Sequence, residues 1–254
     1  MSYCDKATEL YRTWMRVWGC LVFYSGIAAL LWRPAAAQQV AFDFDSQVSA
    51  ADRLVIQSAV PFANGYFRGQ FGAAVAHVTV NVFSTDDPDG KGSTANAGSE
   101  TILVFTRSRG WSEASDEGRF KIMVHEMFHV LQYQLAEGGL GAERWLAEGS
   151  AEYVGYRGAD AAGVLRFGLA RAQQVEEARA QTKPLQTMVL ADPGFYSVAF
   201  VAAEVLANRS GFPALAEYFR RGPTAQTFET VFGQPPSSFA QQFDAQRQEL
   251  PRSE

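Results

Sequence analysis

Apolar and polar residues alternate along two segments in the first half of the chain, the pattern of half-buried β-strands. Val75 to Phe83 reads VAHVTVNVF and is the clearest strand, and Val40 to Phe44 is a shorter one. Thr101 to Arg107 holds four consecutive apolar residues and is predicted to form another strand. The intervening segment, Ser84 to Glu100, is rich in Asp and Gly, so we expect a polar loop there. These segments predict a small sheet in the N-terminal half.

Helical spacing of apolar residues predicts the remaining elements. Ser49 to Arg68 is mostly helical, with Pro61 either bending the helix or marking its restart. Ser112 or Ser115 can cap a following helix. Its apolar stripe is predicted to be core and consists of Phe120, Val124, Met127, Phe128, Leu131 and Leu135.

Glycines 138, 139 and 141 end this helix, and another begins at Glu143 and Arg144. Residues 160–181 are rich in Ala, Arg, Gln and Glu and are predicted to form a surface helix. Further helices are expected over residues 198–208, 214–220, 228–233 and 237–250. The resulting fold class is α+β, with a small N-terminal sheet packed on the helix that follows it and a helical C-terminal half.

The helix with the apolar stripe also carries a candidate metal site, because residues 125–129 read HEMFH. Positions four apart lie on one face of a helix, so His125 and His129 can point their imidazoles at one ion. Glu126 is offset by one position and can reach a water bound to that ion. This HExxH pattern is typical of a zinc site whose Glu is a general base. The alternative is a solvated helix face with two ordinary histidines.

A second segment supplies the missing ligand, since a catalytic zinc commonly takes three protein ligands. Eighteen residues separate His129 from Glu148. That gap fits the end of one helix, a Gly-rich turn and the start of the next. Glu148 and Glu152 share a face of the second helix, so Glu148 can bind the metal while Glu152 accepts a hydrogen bond from a ligand histidine.

The segment from His125 to Tyr156, with HExxH, eighteen residues and a Glu in a WLxEG context, resembles the gluzincin metallopeptidases, and most closely the short secreted peptidase-MA-like proteins. The resemblance covers roughly the last half of the chain and implies a zincin-like fold. It implies His125, His129 and Glu148 as zinc ligands and Glu126 as the base. Glu152 stands where the family usually has Asp.

In folds of this family a strand near the metal helix lines the cleft and can pair with an extended substrate. The resemblance therefore implies this role for either Val75 to Phe83 or Thr101 to Arg107. We expect zinc-dependent hydrolysis of a peptide or protein substrate. Tyr196, ahead of a helix, is the candidate oxyanion donor, although it could equally be a packing residue. Tyr153 and Tyr156 are weaker candidates.

The first 37 of the 254 residues are predicted to be a signal peptide, and residues 38–254 a single domain. Val17 to Trp32 is an uncharged apolar run of sixteen residues, and Ala35 to Ala37 offers a cleavage site. An uncleaved membrane anchor is the alternative, but a spanning helix needs about twenty apolar residues. Export indicates a secreted, periplasmic or cell-envelope protein.

Composition excludes several other functions. Both cysteines, Cys4 and Cys20, lie in the leader, so the mature chain has no thiol for a Cys-rich structural zinc site. Without residues 1–37, 18 basic residues face 25 acidic ones, a net charge of −7. No basic run indicates nucleic acid, and no later segment is apolar enough to span a membrane.

Two other features are interpreted as structural. His77 sits at a strand position, where a histidine is more often a surface or packing residue than a ligand. The acidic loop residues Asp86, Asp87 and Asp89 do not match the spacing of an EF-hand, so we expect a solvated turn there. Two rival functions stay open: a catalytically silent binding module with the same fold, and a zinc hydrolase of a non-peptide substrate.

Overall fold

A four-stranded mixed sheet occupies the N-terminal half of the molecule. The computed structural model describes residues 39–87, 94–137 and 139–251. The strands are β1 (Gln39–Phe44), β2 (His77–Phe83), β3 (Ala95–Ala97) and β4 (Thr101–Phe105). Their order in the sheet is β1-β2-β4-β3, with β1, β2 and β4 parallel and β3 antiparallel to β4.

Helices make up most of the rest. They are α1 (Ala50–Phe71), α2 (Arg109–Ser112), α3 (Asp116–Leu135), α4 (Arg144–Ala161), α5 (Phe167–Ala180), α6 (Phe195–Ser210), α7 (Ala214–Arg220), α8 (Ala225–Phe232) and α9 (Pro236–Gln246). Short 3₁₀ helices cover Leu185–Thr187 and Arg247–Glu249. The α+β class predicted from the sequence is confirmed, as is the division into a sheet-containing N-terminal half and a helical C-terminal half.

Helix α1 crosses from β1 to β2. The Ser49 side chain caps its N-terminus by accepting a hydrogen bond from the backbone N–H of Asp52, and Gly72 ends it with a left-handed φ of 61°. Pro61 lies inside this helix, which runs through it without restarting. One face of α1 packs against α3 with fully buried side chains such as Phe67.

The segment expected to be a polar loop contains β3, so that prediction was wrong in part. A backbone hydrogen bond from Gly98 N to Thr101 O, 2.8 Å long, closes a tight turn that places β3 beside β4. β2 is flanked by β1 and β4, and β4 by β2 and β3. β2 and β4, the two strands proposed to pair with substrate, are therefore both internal to the sheet. The three residues of β3 cover the side of β4 that would otherwise be an edge.

The helix predicted over residues 160–181 is two helices. α4 continues to Ala161, and Gly163, with a left-handed φ of 70°, reverses the chain before α5. The Asp160 carboxylate accepts a hydrogen bond from the backbone N–H of Phe167 at the start of α5. α5 also buries Arg171 and Val175, so it is not simply a surface helix.

Helix α3 runs through the centre of the core and contacts α1, α4, α7, β3 and β4. Ser115 is its cap, accepting from the backbone N–H of Gly118. Every residue of the predicted apolar stripe is buried except Leu135, which is half-buried. This central position carries the HExxH residues on α3 into the interior.

Among the described helices, none combines the length and the hydropathy that a membrane span requires. The predicted signal peptide, with Cys4 and Cys20, lies outside the described residues, as does Asp89 of the acidic loop.

Candidate metal centre

Two adjacent helices bring three candidate ligands together. His125 and His129 lie on successive turns of α3, and Glu148 lies in the second turn of α4. Glu148 Oε2 is 3.3 Å from His129 Nε2 and 3.7 Å from His125 Nε2. One ligand atom from each residue lies within 4.8 Å of the others, so the three can hold a metal ion. Among the described residues, they are the only group of His, Cys, Asp or Glu side chains with such a geometry.

Glycines let α4 approach its neighbours closely enough to place Glu148. A Cβ on Gly149 would lie 2.1 Å from the backbone oxygen of Ala199 in α6, and one on Gly158 would lie 2.8 Å from Val124 Cγ1 in α3. Both distances are far below van der Waals contact. Only glycine fits at these positions while α4 remains packed against α3 on one side and α6 on the other.

The Nδ1 atom of each histidine, on the side of the ring that does not face Glu148, forms a hydrogen bond. His125 Nδ1 is 2.9 Å from Glu152 Oε2, and His129 Nδ1 is 2.7 Å from Gln132 Oε1. The second oxygen of Glu152 accepts a 2.7 Å hydrogen bond from Lys121 Nζ. These bonds fix both rings so that each presents Nε2 to Glu148.

Charges in this buried cluster stabilise one another. Burial lowers the pKa of His125, but hydrogen bonds to Glu148 and Glu152 outweigh it and raise that pKa to about 10. Burial raises the pKa of Glu148, but its hydrogen bonds with both histidines hold it well below the usual range. For Glu152 the same burial is outweighed by Lys121 and His125, which lower its pKa to about 2.

Glu126 lies beside the two histidines and is 7% exposed. Burial is the main reason that its pKa lies above the usual value for Glu, with the neighbouring histidines acting in the opposite direction. Its carboxylate lines the same cleft as the ligands. A carboxylate in this environment is more basic than one in water, which suits proton transfer.

An open cleft of about 970 Å³ gives access to these residues. One wall is β3 and the residue before it, Thr94, and the floor is α3 with Glu126 and both histidines. Apolar side chains from several elements also line it: Ile122, Tyr133, Leu140, Leu190 and Tyr196. Arg144, one turn before Glu148, adds a positive charge to the cleft wall.

Tyr196 lines this cleft, but it lies in the first turn of α6 and not ahead of the helix as predicted. Gly194, with a φ of 70°, turns the chain immediately before α6. The Tyr196 ring centroid is 6.3 Å from that of His125, and its side chain is 42% exposed. Partial burial and the nearby carboxylates, Glu148 foremost, raise the pKa of Tyr196, so its hydroxyl is a proton donor at neutral pH.

Tyr153 and Tyr156, the two weaker candidates for the oxyanion donor, do not line the cleft. Tyr153 is 3% exposed and packs edge-on against Phe167, Phe200 and Phe212. The Tyr156 hydroxyl accepts a hydrogen bond from Gln174 Nε2. His77 is likewise remote from the ligands, since it lies on β2 and forms an exposed 2.7 Å ion pair with Glu100.

Sequence reasoning missed two side chains of the site, Gln132 and Lys121. Gln132 is three residues after His129 and Lys121 is four before His125, so helical spacing places each on the face of its histidine. That spacing was the available signal for both.

No protein-family model matches the chain, and a search of curated proteins found no match either.

Proposed function

We propose that the chain is a zinc-dependent metallopeptidase with a zincin-like domain of the gluzincin, peptidase-MA-like type. The observation that carries this proposal is the convergence of His125, His129 and Glu148 within 4.8 Å, with Glu126 lining the same cleft. Two imidazoles and a carboxylate are the ligands of known catalytic zinc sites in peptidases. The apolar run of the leader supports export to the cell envelope or the medium.

The charge of the cluster supports a divalent cation at this site. Within the buried group, the carboxylates Glu126, Glu148 and Glu152 lie beside one lysine, Lys121, whereas Arg144 is exposed on the cleft wall. With both imidazoles neutral, the cluster carries two net negative charges in a buried setting, which is costly unless compensated. A divalent ion would neutralise these two negative charges. A closed structural zinc site is disfavoured, because residues 38–254 contain no Cys.

When bound, zinc supplies a Lewis acid that polarises a carbonyl and lowers the pKa of a water molecule towards 7. The residues of the chain perform the proton transfers. Glu126 accepts the proton from the attacking water and delivers it to the leaving amine. Tyr196 lines the cleft and its hydroxyl stays protonated, which supports its role as the hydrogen-bond donor to the oxyanion.

Strand β3 supports a peptide as the substrate. Backbone hydrogen bonds from Phe105 N to Thr94 O and from Gly98 N to Thr101 O show that residues 94 and 98 face β4. In an antiparallel pair, alternate residues face opposite edges, so Ala95 and Ala97 direct their N–H and C=O groups to the free edge. That edge lines the cleft and can bind an extended peptide by adding it as a strand.

The test is Glu126→Gln, assayed for zinc content and for hydrolysis of a fluorescence-quenched peptide library. The variant is expected to keep its zinc, because Glu126 is not a ligand, and to lose about 100- to 10,000-fold in kcat/KM, because the base is gone. Glu113→Gln, at an exposed glutamate that pairs with Arg109, is the matched control and should retain activity. Full activity in Glu126→Gln would refute the base assignment. A wild type that holds zinc but cleaves no peptide would favour a binding module or a hydrolase of another substrate.

A further inference from the structure

Gln132 forms hydrogen bonds through both its amide oxygen and its amide nitrogen beside the candidate ligands. It is 0% exposed and lies on α3, one turn after His129. Its Oε1 is 2.7 Å from His129 Nδ1, and its Nε2 donates to Ala147 O at 3.0 Å and to Ser150 Oγ at 2.9 Å. We infer that Gln132 is a positioning residue that sets the tautomer of His129 and aligns that histidine with Glu148.

The bonding partners determine which way the Gln132 amide points. The backbone oxygen of Ala147 can only accept a hydrogen bond, so the Gln132 atom facing it is the Nε2 donor. Oε1 must then face His129. Since Oε1 can only accept, His129 Nδ1 carries a proton, and the lone pair of the neutral ring lies on Nε2. His129 Nε2 is the atom 3.3 Å from Glu148 and therefore the one that is free to bind a metal.

Gln132 also connects the two helices that carry the ligands. Ala147 immediately precedes Glu148 on α4, and Ser150 lies two residues beyond it. The Ser150 hydroxyl donates to Leu146 O at 2.6 Å, so its oxygen is available to accept from Gln132. A displacement of α4 relative to α3 would break these bonds. Gln132 thus holds the spacing between His129 and Glu148 as well as the ring orientation.

A neutral amide suits this position better than a carboxylate. Glu152 performs the same task for His125, but its charge is balanced by Lys121 at 2.7 Å. The buried cluster already carries two net negative charges when the imidazoles are neutral. A second carboxylate beside His129 would add another buried charge, whereas Gln132 fixes the ring without changing the charge.

The inference rests on the zinc site of the proposed function but not on peptide cleavage, so its test measures zinc binding. Gln132→Leu should raise the zinc dissociation constant about 10- to 100-fold, the usual effect of losing such a supporting hydrogen bond. Affinity is measured by competition with a chromophoric chelator, beside the melting temperature of the metal-free protein. Asn64→Leu is the matched control, since Asn64 is a 1% exposed amide that bonds the backbone of Val75 away from the site. It should lose stability with unchanged zinc affinity.

Equal zinc affinity in wild type and Gln132→Leu would overturn the inference. If Gln132→Leu does not fold, nitrogen-15 NMR of the zinc-loaded wild type decides the same point, because the chain has three histidines and His77 is remote from the ligands. His129 should show a protonated Nδ1 and a metal-bound Nε2. Zinc bound through Nδ1 would contradict the inference. Zinc binding without peptide cleavage would refute only the proposed activity, and a wild type that binds no zinc would refute both.

Discussion

The two histidines of the site differ in the charge of the group that holds each ring. Glu152, a carboxylate, faces Nδ1 of His125, and Gln132, a neutral amide, faces Nδ1 of His129. Carboxylates therefore lie near both ring nitrogens of His125, with Glu148 Oε2 at 3.7 Å from Nε2. This is the physical reason that the pKa of His125 is raised to about 10 despite burial.

The raised pKa predicts that zinc binding at neutral pH releases a proton. Below pH 10 the metal-free protein holds His125 as imidazolium, whereas a metal ligand must be neutral. Zinc therefore displaces about one proton from His125, and ionisation of a zinc-bound water adds to the release above pH 7, so the apparent affinity should rise at least about tenfold per pH unit between pH 7 and 9. Isothermal titration calorimetry in buffers of different ionisation enthalpy measures the release. A release of no protons at pH 7 would show that His125 is already neutral before metal binds.

At this scale the sequence predicted the ligand positions and one of their supports, Glu152, but not Gln132 or Lys121. Helical arithmetic places His125 and His129 on one face, because four residues make about one turn. The bonds of Gln132 and Lys121 depend on side chains and backbone of α4, including Ala147 O and Glu152. Spacing within α3 places each of these side chains on the face of its histidine, but their contacts with α4 form only when the two helices pack together.

At the scale of elements, the sheet edge beside the cleft was the main feature that the sequence did not predict. Alternation identified β2 and the apolar run identified β4, because each buries several side chains. β3 has only three residues, Ala, Asn and Ala, without the β-branched or aromatic residues that mark a strand. Its strand character comes from pairing with β4. The close approach of α4 to α6 could not be predicted from local sequence either, because the need for a glycine at Gly149 arises from its contact with Ala199 in the folded protein.

Replacing Ala97 with proline tests the role of β3. Proline removes the N–H group that Ala97 directs to the free edge and leaves the pairing with β4 intact. We expect kcat/KM for peptides to fall about tenfold, the loss of roughly one hydrogen bond, with unchanged zinc content. The measurement is steady-state kinetics beside Ala97→Ser, which keeps the N–H. Unchanged kinetics in the proline variant would indicate that substrate does not pair with this strand at Ala97.

At the scale of the whole molecule, the core and the site share one helix. Helix α3 packs its apolar stripe against α1 and α7 while it carries two ligands and Glu126 to the cleft floor. The sequence predicted the α+β class because the period of the apolar residues changes from strand to helix along the chain. It did not predict the break at Gly163, for which the glycine was itself the local signal, or the burial of α5, which depends on packing against α4 and α6.

The central claim, a three-ligand zinc site, is tested most directly by the metal content of the purified protein. Wild type, Glu148→Ala and the control Glu113→Ala are compared by elemental analysis after reconstitution with zinc and removal of the excess. A three-ligand site predicts about one zinc per chain in wild type and control, and little or none in Glu148→Ala, because one of three ligands is lost. Absence of zinc from the wild type, or equal zinc in Glu148→Ala, would contradict it.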